Sequence, residues 1–239
     1  MTWKQLFTSS IGKKIVMSLT GIFLILFLIV HVGLNACIWA NDNGEMFNKA
    51  AHFMGANVVP RVLEIGLFAG IFLHIIQGYL LTKSNSSKQA IAYEVNLGNR
   101  GSKWYSRSMG ILGTLILLFL IAHIYHFWTP SRLGGIGNVH ELQLVEGGYG
   151  TPTEYHDLYA EMRIVFTSEY GLIIVILYLL GCISLAFHLA HGFQSAFRTL
   201  GVHNKKYNTL ISSLGNGFAI IVPLAFAMMP VSFYFQWIK

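Results

Sequence analysis

Apolar residues gather along this chain into long stretches, separated by connections that are polar, basic or rich in glycine. Five stretches stand out: Ile15–Ala40, Val58–Thr82, Ser108–Thr129, Gly171–Gln194 and Thr209–Phe235. Crossing about 30 Å of hydrocarbon takes about 20 apolar helical residues, and each stretch is long enough. Backbone groups in lipid are satisfied only within helices or closed barrels, so the pattern predicts five transmembrane helices. The first stretch has no convincing small-residue cleavage site and carries His31 and Asn35, which predicts a retained span and not a signal peptide.

The connections differ in character. Residues 1–14 read as a short amphipathic lead-in at the membrane surface, with Trp3, Leu6 and Phe7 beside lysines. Asn41–Asn57 is brief and polar, and Lys83–Arg107 is a Ser-, Asn-, Gly- and Lys-rich loop. Pro130–Glu169 is the longest connection and holds most of the acids. Gly134, Gly135, Gly137, Gly147, Gly148 and Gly150 interrupt it before a short helix predicted over Glu154–Phe166. A loop of that length is functional or a lid. With no internal repeat and no soluble segment able to hold a core, residues 1–239 read as a single, all-α membrane domain.

Composition agrees with that class. The chain is 54% hydrophobic and 11% charged, where a soluble domain carries about a quarter charged residues. The net charge of +6 is unevenly spread. Eleven of the sixteen basic residues fall before span one, between spans two and three, or between four and five, with Glu94 the single acid among them. Lys49, Arg61, Arg132, Arg163 and Lys239 share the other side with nine acids. The positive-inside rule therefore predicts a cytoplasmic N-terminus. Short juxtamembrane clusters of this kind suit lipid headgroups or a docking partner and not a nucleic acid. Cys37 and Cys182 lie inside predicted spans and form neither a disulfide framework nor a metal cluster.

The chemistry lies in the histidines. Each of the first four spans carries one deep inside it, where an imidazole is costly and usually functional. At about 1.5 Å per residue, His31 and His123 lie roughly 24 and 25 Å from the basic edge, and His74 and His188 roughly 12 and 15 Å. Two layers result, each drawing two imidazoles from different helices, as two bis-histidine haems b require. A proton relay is the competing use of such residues. Gly70 and Gly78, about one turn either side of His74, either let a macrocycle lie on the backbone or let helices approach closely. No cysteine or carboxylate is placed to complete a zinc site. His126 and His191 follow His123 and His188 by three residues and are alternative ligands. As alternatives to ligation, His126 is a candidate for a quinone or a propionate, and His191 for a propionate. His52, His140, His156 and His203 fall in connections and read as solvated or structural.

The segments MSLTGIFLILFLIVHVGLN (Met17–Asn35), SRSMGILGTLILLFLIAHIYHF (Ser106–Phe127) and FHLAHGFQSAFRTLG (Phe187–Gly201) resemble the first, third and fourth spans of the cytochrome b subunit of succinate dehydrogenase and fumarate reductase. The resemblance is to the single-chain, five-helix, two-haem form and extends over nearly the whole chain. It implies His31 with His123 as ligands of an outer haem iron and His74 with His188 as ligands of an inner one. It also implies a flavoprotein subunit and an iron–sulfur subunit as partners, a quinone (menaquinone for this form) as substrate, and a multi-pass place in the bacterial cytoplasmic membrane. The Pro130–Glu169 loop is longer than in the shorter family members.

This chain has no Gly-rich dinucleotide turn, so dicarboxylate chemistry would belong to the flavoprotein subunit. The basic connections, Lys83–Arg107 above all, are the expected docking face for the iron–sulfur subunit. Asn35, Trp39, Glu64 and His126 are quinone-site candidates near the outer layer, although Glu64 near a helix N-terminus also suits the dipole. The rivals are the cytochrome b subunit of another respiratory complex, a hydrogenase or formate dehydrogenase, and a haem-free proton-coupled transporter. Transporters of that kind often break helices at the midplane. Here the prolines well inside a span, Pro223 and Pro230, lie on the fifth, which has no histidine.

Overall fold

A computed structural model of the chain describes residues 2–88, 103–146, 154–202 and 204–238. The fold is mostly helical, at 82%. Five helical segments among the described residues are long and apolar enough to cross a membrane: Ser10–Ala40, Val58–Ser84, Met109–Leu133, Gly171–Thr199 and Lys206–Tyr234. Glu94, Gly147, Gly148, Gly150, His203 and Lys239, all used in the reading above, lie outside the described residues, as does most of the Lys83–Arg107 connection.

Chain order is α1 (Trp3–Thr8), α2 (Ser10–Asn35) with a 3₁₀ turn over Ala36–Ala40, α3 (Glu45–Ala56), α4 (Val58–Lys88), α5 (Trp104–Arg107) and α6 (Met109–His123). A π turn over Ile124–Trp128 then leads into α7 (Thr129–Leu133), the strands β1 (Leu144–Glu146) and β2 (Glu154–His156), α8 (Leu158–Thr167), α9 (Gly171–Thr199) and α10 (Lys205–Tyr234). The lead-in is helical over α1, where Thr2 and Gln5 close a reciprocal capping box, and the first span begins at Ser10, earlier than the apolar run suggests.

Two features depart from the sequence reading. The connection Asn41–Asn57 contains a helix, α3. The run Asn41-Asp42-Asn43-Gly44 turns the chain, with positive φ at Asn41, Asn43 and Gly44. Asp42 then accepts from the backbone N–H of Gly44 at 3.1 Å and of Met46 at 2.9 Å, satisfying donors that the helix start leaves open. In the long connection, Glu154–His156 is not helix but a strand paired antiparallel with β1, Leu144 opposite His156. The helix begins only at Leu158, where Asp157 Oδ1 accepts from Ala160 N–H at 2.9 Å.

Two compact units are distinguishable, each assembled from several separate chain segments. The first comprises Met1–Leu28, Ile65–Leu115 and Ser184–Ile221, and its buried centre is Ile25, Leu189 and Ala219 with Phe193 and Phe218 packed on them. The second comprises Ile29–Glu64, Ile116–Ile183 and Val222–Lys239. Its core joins Ile38 and Phe47 to the buried face of α8 (Tyr159, Met162, Val165, Phe166) and to Tyr178, Met229 and Phe233. Asn48 ties α3 to α8 by donating to Asp157 at 2.9 Å and accepting from Tyr159 N–H at 3.1 Å.

Gly44 is required at this junction. Its φ of +82° suits glycine, and the Tyr159 ring occupies the space a Cβ would need. Gly44→Ala is expected to destabilise the fold by about 1–3 kcal/mol, seen as a lower Tm of the detergent-purified protein; an unchanged Tm would show that the turn relaxes freely.

Candidate functional site

In the first unit, α4 and α9 bring His74 and His188 together, with ring centres 6.1 Å apart and planes at 63°. Both rings lie over glycine backbone of a neighbouring helix: a Cβ at Gly21 would meet His74 Cε1 at 3.7 Å, and one at Gly113 would meet His188 Cε1 at 3.9 Å. Thr20 on α2 is 3.0 Å from His74 Nδ1 and 2.9 Å from the Val16 carbonyl. With the hydroxyl hydrogen on that carbonyl, the oxygen would accept from Nδ1–H. This fixes the tautomer and leaves Nε2 with its lone pair.

In the second unit, His31 of α2 and His123 of α6 face each other, with centres 5.8 Å apart and planes at 89°. Aromatic rings surround them. Phe119 stacks on His123 at 5.6 Å, Phe127 meets it edge-on at 5.5 Å, and Phe226 lies 5.5 Å from His31. Gly181 makes room for Phe119, whose ring fills the place of a Cβ there.

Each pair contains one imidazole with a buried nitrogen, Nδ1 of His123 and Nδ1 of His188, that has no hydrogen-bond partner among the described residues. Such an atom costs about 1–3 kcal/mol, a signature of functional placement or of an absent partner. Among the described residues no three or more His, Cys, Asp or Glu side chains converge as they would to bind a metal ion by themselves. Among the described residues each site therefore offers two imidazoles and no third His, Cys, Asp or Glu ligand.

Among the described residues no hydrogen bond or ring contact joins His126 or His191 to the four paired imidazoles. His126 sits in the π turn, and its Nδ1 is 3.0 Å from the Tyr178 hydroxyl, with the rings stacked at 5.9 Å. The wide turn is closed by Thr129 N–H donating to the Ile124 carbonyl five residues back. It removes the simple three-residue spacing that had put His126 on the face of His123. His191 makes no hydrogen bond or ring contact with any described residue. Gly70 and Gly78 are covered by the first span: a Cβ at Gly70 would meet the Phe23 ring at 3.0 Å, and one at Gly78 the Met17 methyl at 3.3 Å.

Of the remaining quinone-site candidates, Glu64 is the most heavily engaged. Its Oε1 accepts from Trp128 Nε1–H and, at 3.2 Å, from Arg132 Nε–H; its Oε2 lies 3.5 Å from Arg61. Asn35 folds back to donate to the His31 carbonyl at 2.8 Å, and Trp39 donates to Ser232 Oγ at 3.1 Å. No hydrogen bond or ring contact among the described residues joins Asn35 or Trp39 to Glu64 or His126. Comparison with protein-family models, characterised proteins and solved structures returned no match.

Thr20, Tyr178 and Arg132 are the residues that sequence reasoning passed over. Thr20 and Tyr178 look like ordinary span residues, and their roles depend on which helix faces meet. Arg132 carried a signal, a lone cation immediately after an outer span end and a natural partner for the lone acid Glu64.

Proposed function

We propose that the chain is the membrane anchor and di-haem cytochrome b subunit of a succinate:quinone oxidoreductase, passing electrons between an iron–sulfur subunit and a membrane quinone. The observation that carries this reading is the pairing of four intramembrane imidazoles as two sets of two, each set from different spans. Two imidazoles bound to one metal ion between them, each at about 2 Å, have ring centres about 6 Å apart. The observed separations are 5.8 and 6.1 Å. A site with only two protein nitrogens suits an iron already held by four macrocycle nitrogens.

Haem, when bound, supplies a one-electron iron couple. The chain's own part is to hold it. His74 and His188 would take the inner iron and His31 and His123 the outer one, with Thr20 presenting Nε2 of His74 and the aromatic rings excluding water around His123. At the quinone, Glu64 is the proton acceptor. Its Oε1 is committed to Trp128 and Arg132, and Oε2, 3.5 Å from Arg61, would take the proton of a quinol hydroxyl. The basic connections face the cytoplasm and dock the iron–sulfur subunit, and menaquinone is the expected quinone in a bacterial cytoplasmic membrane.

The deciding experiment is a reduced-minus-oxidised optical spectrum of the purified protein together with the identity of its co-purifying chains. Two b-type haems per chain, with a flavoprotein and an iron–sulfur protein, are expected. No haem would eliminate the proposal, and a nickel or molybdenum protein as partner would replace it with another respiratory complex.

A further inference from the structure

Glu161 is the only acid buried among the described residues, 7% exposed on the inward face of α8. Its carboxylate meets one side chain, His140, whose Nε2 lies 3.1 Å from Oε2. The two partners differ sharply in environment: the Glu161 side chain is 9% exposed and that of His140 61%. The pair thus runs from the interior to water.

Both ends are firmly placed. The turn ahead of His140 is closed by Gly135 N–H donating to the Val139 carbonyl at 3.1 Å, and Leu142 is buried just after it. On the other side, α8 is fixed by the Asp157 cap and by its buried face. The inner end of the pair lies on α8, beside the site's π turn. α8 packs on the π turn that carries His126.

Other titratable groups on the elements around α8 are engaged or turned away. Tyr125 is exposed, Glu45 and Lys49 pair with each other at 2.7 Å, and His52 packs against Tyr155. As a mere clip between loop and helix this pair is a poor choice, because burying a carboxylate costs more than burying an amide.

We propose that His140 and Glu161 are the proton route between the outer quinone region and water; this rests on the quinone reading above. Oxidation of one quinol releases two electrons, to the histidine-held groups, and two protons. One proton goes to Glu64 Oε2. The other breaks from the second quinol oxygen and forms an N–H bond at His126 Nε2, Nδ1 being engaged with Tyr178. It then passes to the Glu161 carboxylate, forming an acid O–H, to His140 Nε2, and from the imidazolium to bulk water. Quinone reduction draws a proton inward along the same groups.

The test is stopped-flow reduction of the cytochromes by a water-soluble naphthoquinol, using the intact complex at low buffer strength. Glu161→Gln and His140→Gln are each expected to slow haem reduction about tenfold, below the roughly 10²–10⁴ of a group acting on the reacting atom itself. The dithionite-reduced spectrum should stay unchanged. His140→Gln keeps a hydrogen-bonding partner for Glu161 but carries no exchangeable ring proton, so added imidazole should restore its rate while leaving wild type unaffected. Wild-type rates in both variants, or a slowed His140→Gln that imidazole does not restore, overturn the route. Should Glu161→Gln fail to fold, His140→Gln decides alone. A wild-type protein without b-type haem would overturn the underlying reading instead.

Discussion

A His74→Ala variant is expected to lose one of the two b-type signals and keep the other, and His31→Ala to lose the complementary one. The expectation of separate losses comes from the distribution of the pairs. His74 and His188 both belong to the first compact unit, and His31 and His123 both to the second. With one imidazole removed, a single helix would be left to hold the haem, which would be released or show a changed spectrum. Thr20→Val should be milder. It leaves the ligand but removes the acceptor that holds its tautomer, and loss of such outer partners typically weakens binding about 10–100-fold. Haem per chain, measured as the pyridine haemochrome after purification, reads both effects. If His74→Ala and His31→Ala each retained the full complement, the two-site account would be untenable.

The second large effect is at Glu64. Glu64→Gln is expected to lower naphthoquinol turnover about 10²-fold, the lower range for loss of a proton-transfer group, with the cytochrome spectrum intact. The amide can still accept from Trp128 and Arg132, so the site should keep its shape and lose only its base. Steady-state turnover at saturating quinol separates this from a binding defect, which would raise KM with kcat preserved. Turnover equal to wild type would remove Glu64 from the chemistry and leave it as the anchor of Arg61, Trp128 and Arg132.

What could be read from the sequence followed from hydrophobic length. The spans were legible because a lipid-facing helix must be apolar along its whole length. The pairing of His31 with His123 and of His74 with His188 was legible because such helices rise uniformly, so residue counts match positions on different spans. The short helix α3 was not legible: its burial rests on Phe47 and Asn48, too few positions to make an apolar run. The hairpin escaped because each strand has three residues, and pairing rather than composition defines it. Contacts such as Thr20 with His74, or Tyr178 with His126, depend on helix rotation, which no single-chain pattern fixes. The π turn did leave a trace. Pro130 lies just beyond it, with no N–H to donate and a ring that would crowd the carbonyl of His126 in a regular helix.

That widened turn has a consequence for comparing this protein with others. It amounts to one inserted residue within Ile124–Trp128, placed between the imidazole of His123 and the two side chains that clasp Glu64. A bundle built with an unbroken helix here would match this chain up to His123 and then run one position out of step. Any alignment drawn through the segment without a gap would assign the clasp to the wrong columns, and Trp128 and Arg132 would look dispensable when they had merely been misfiled.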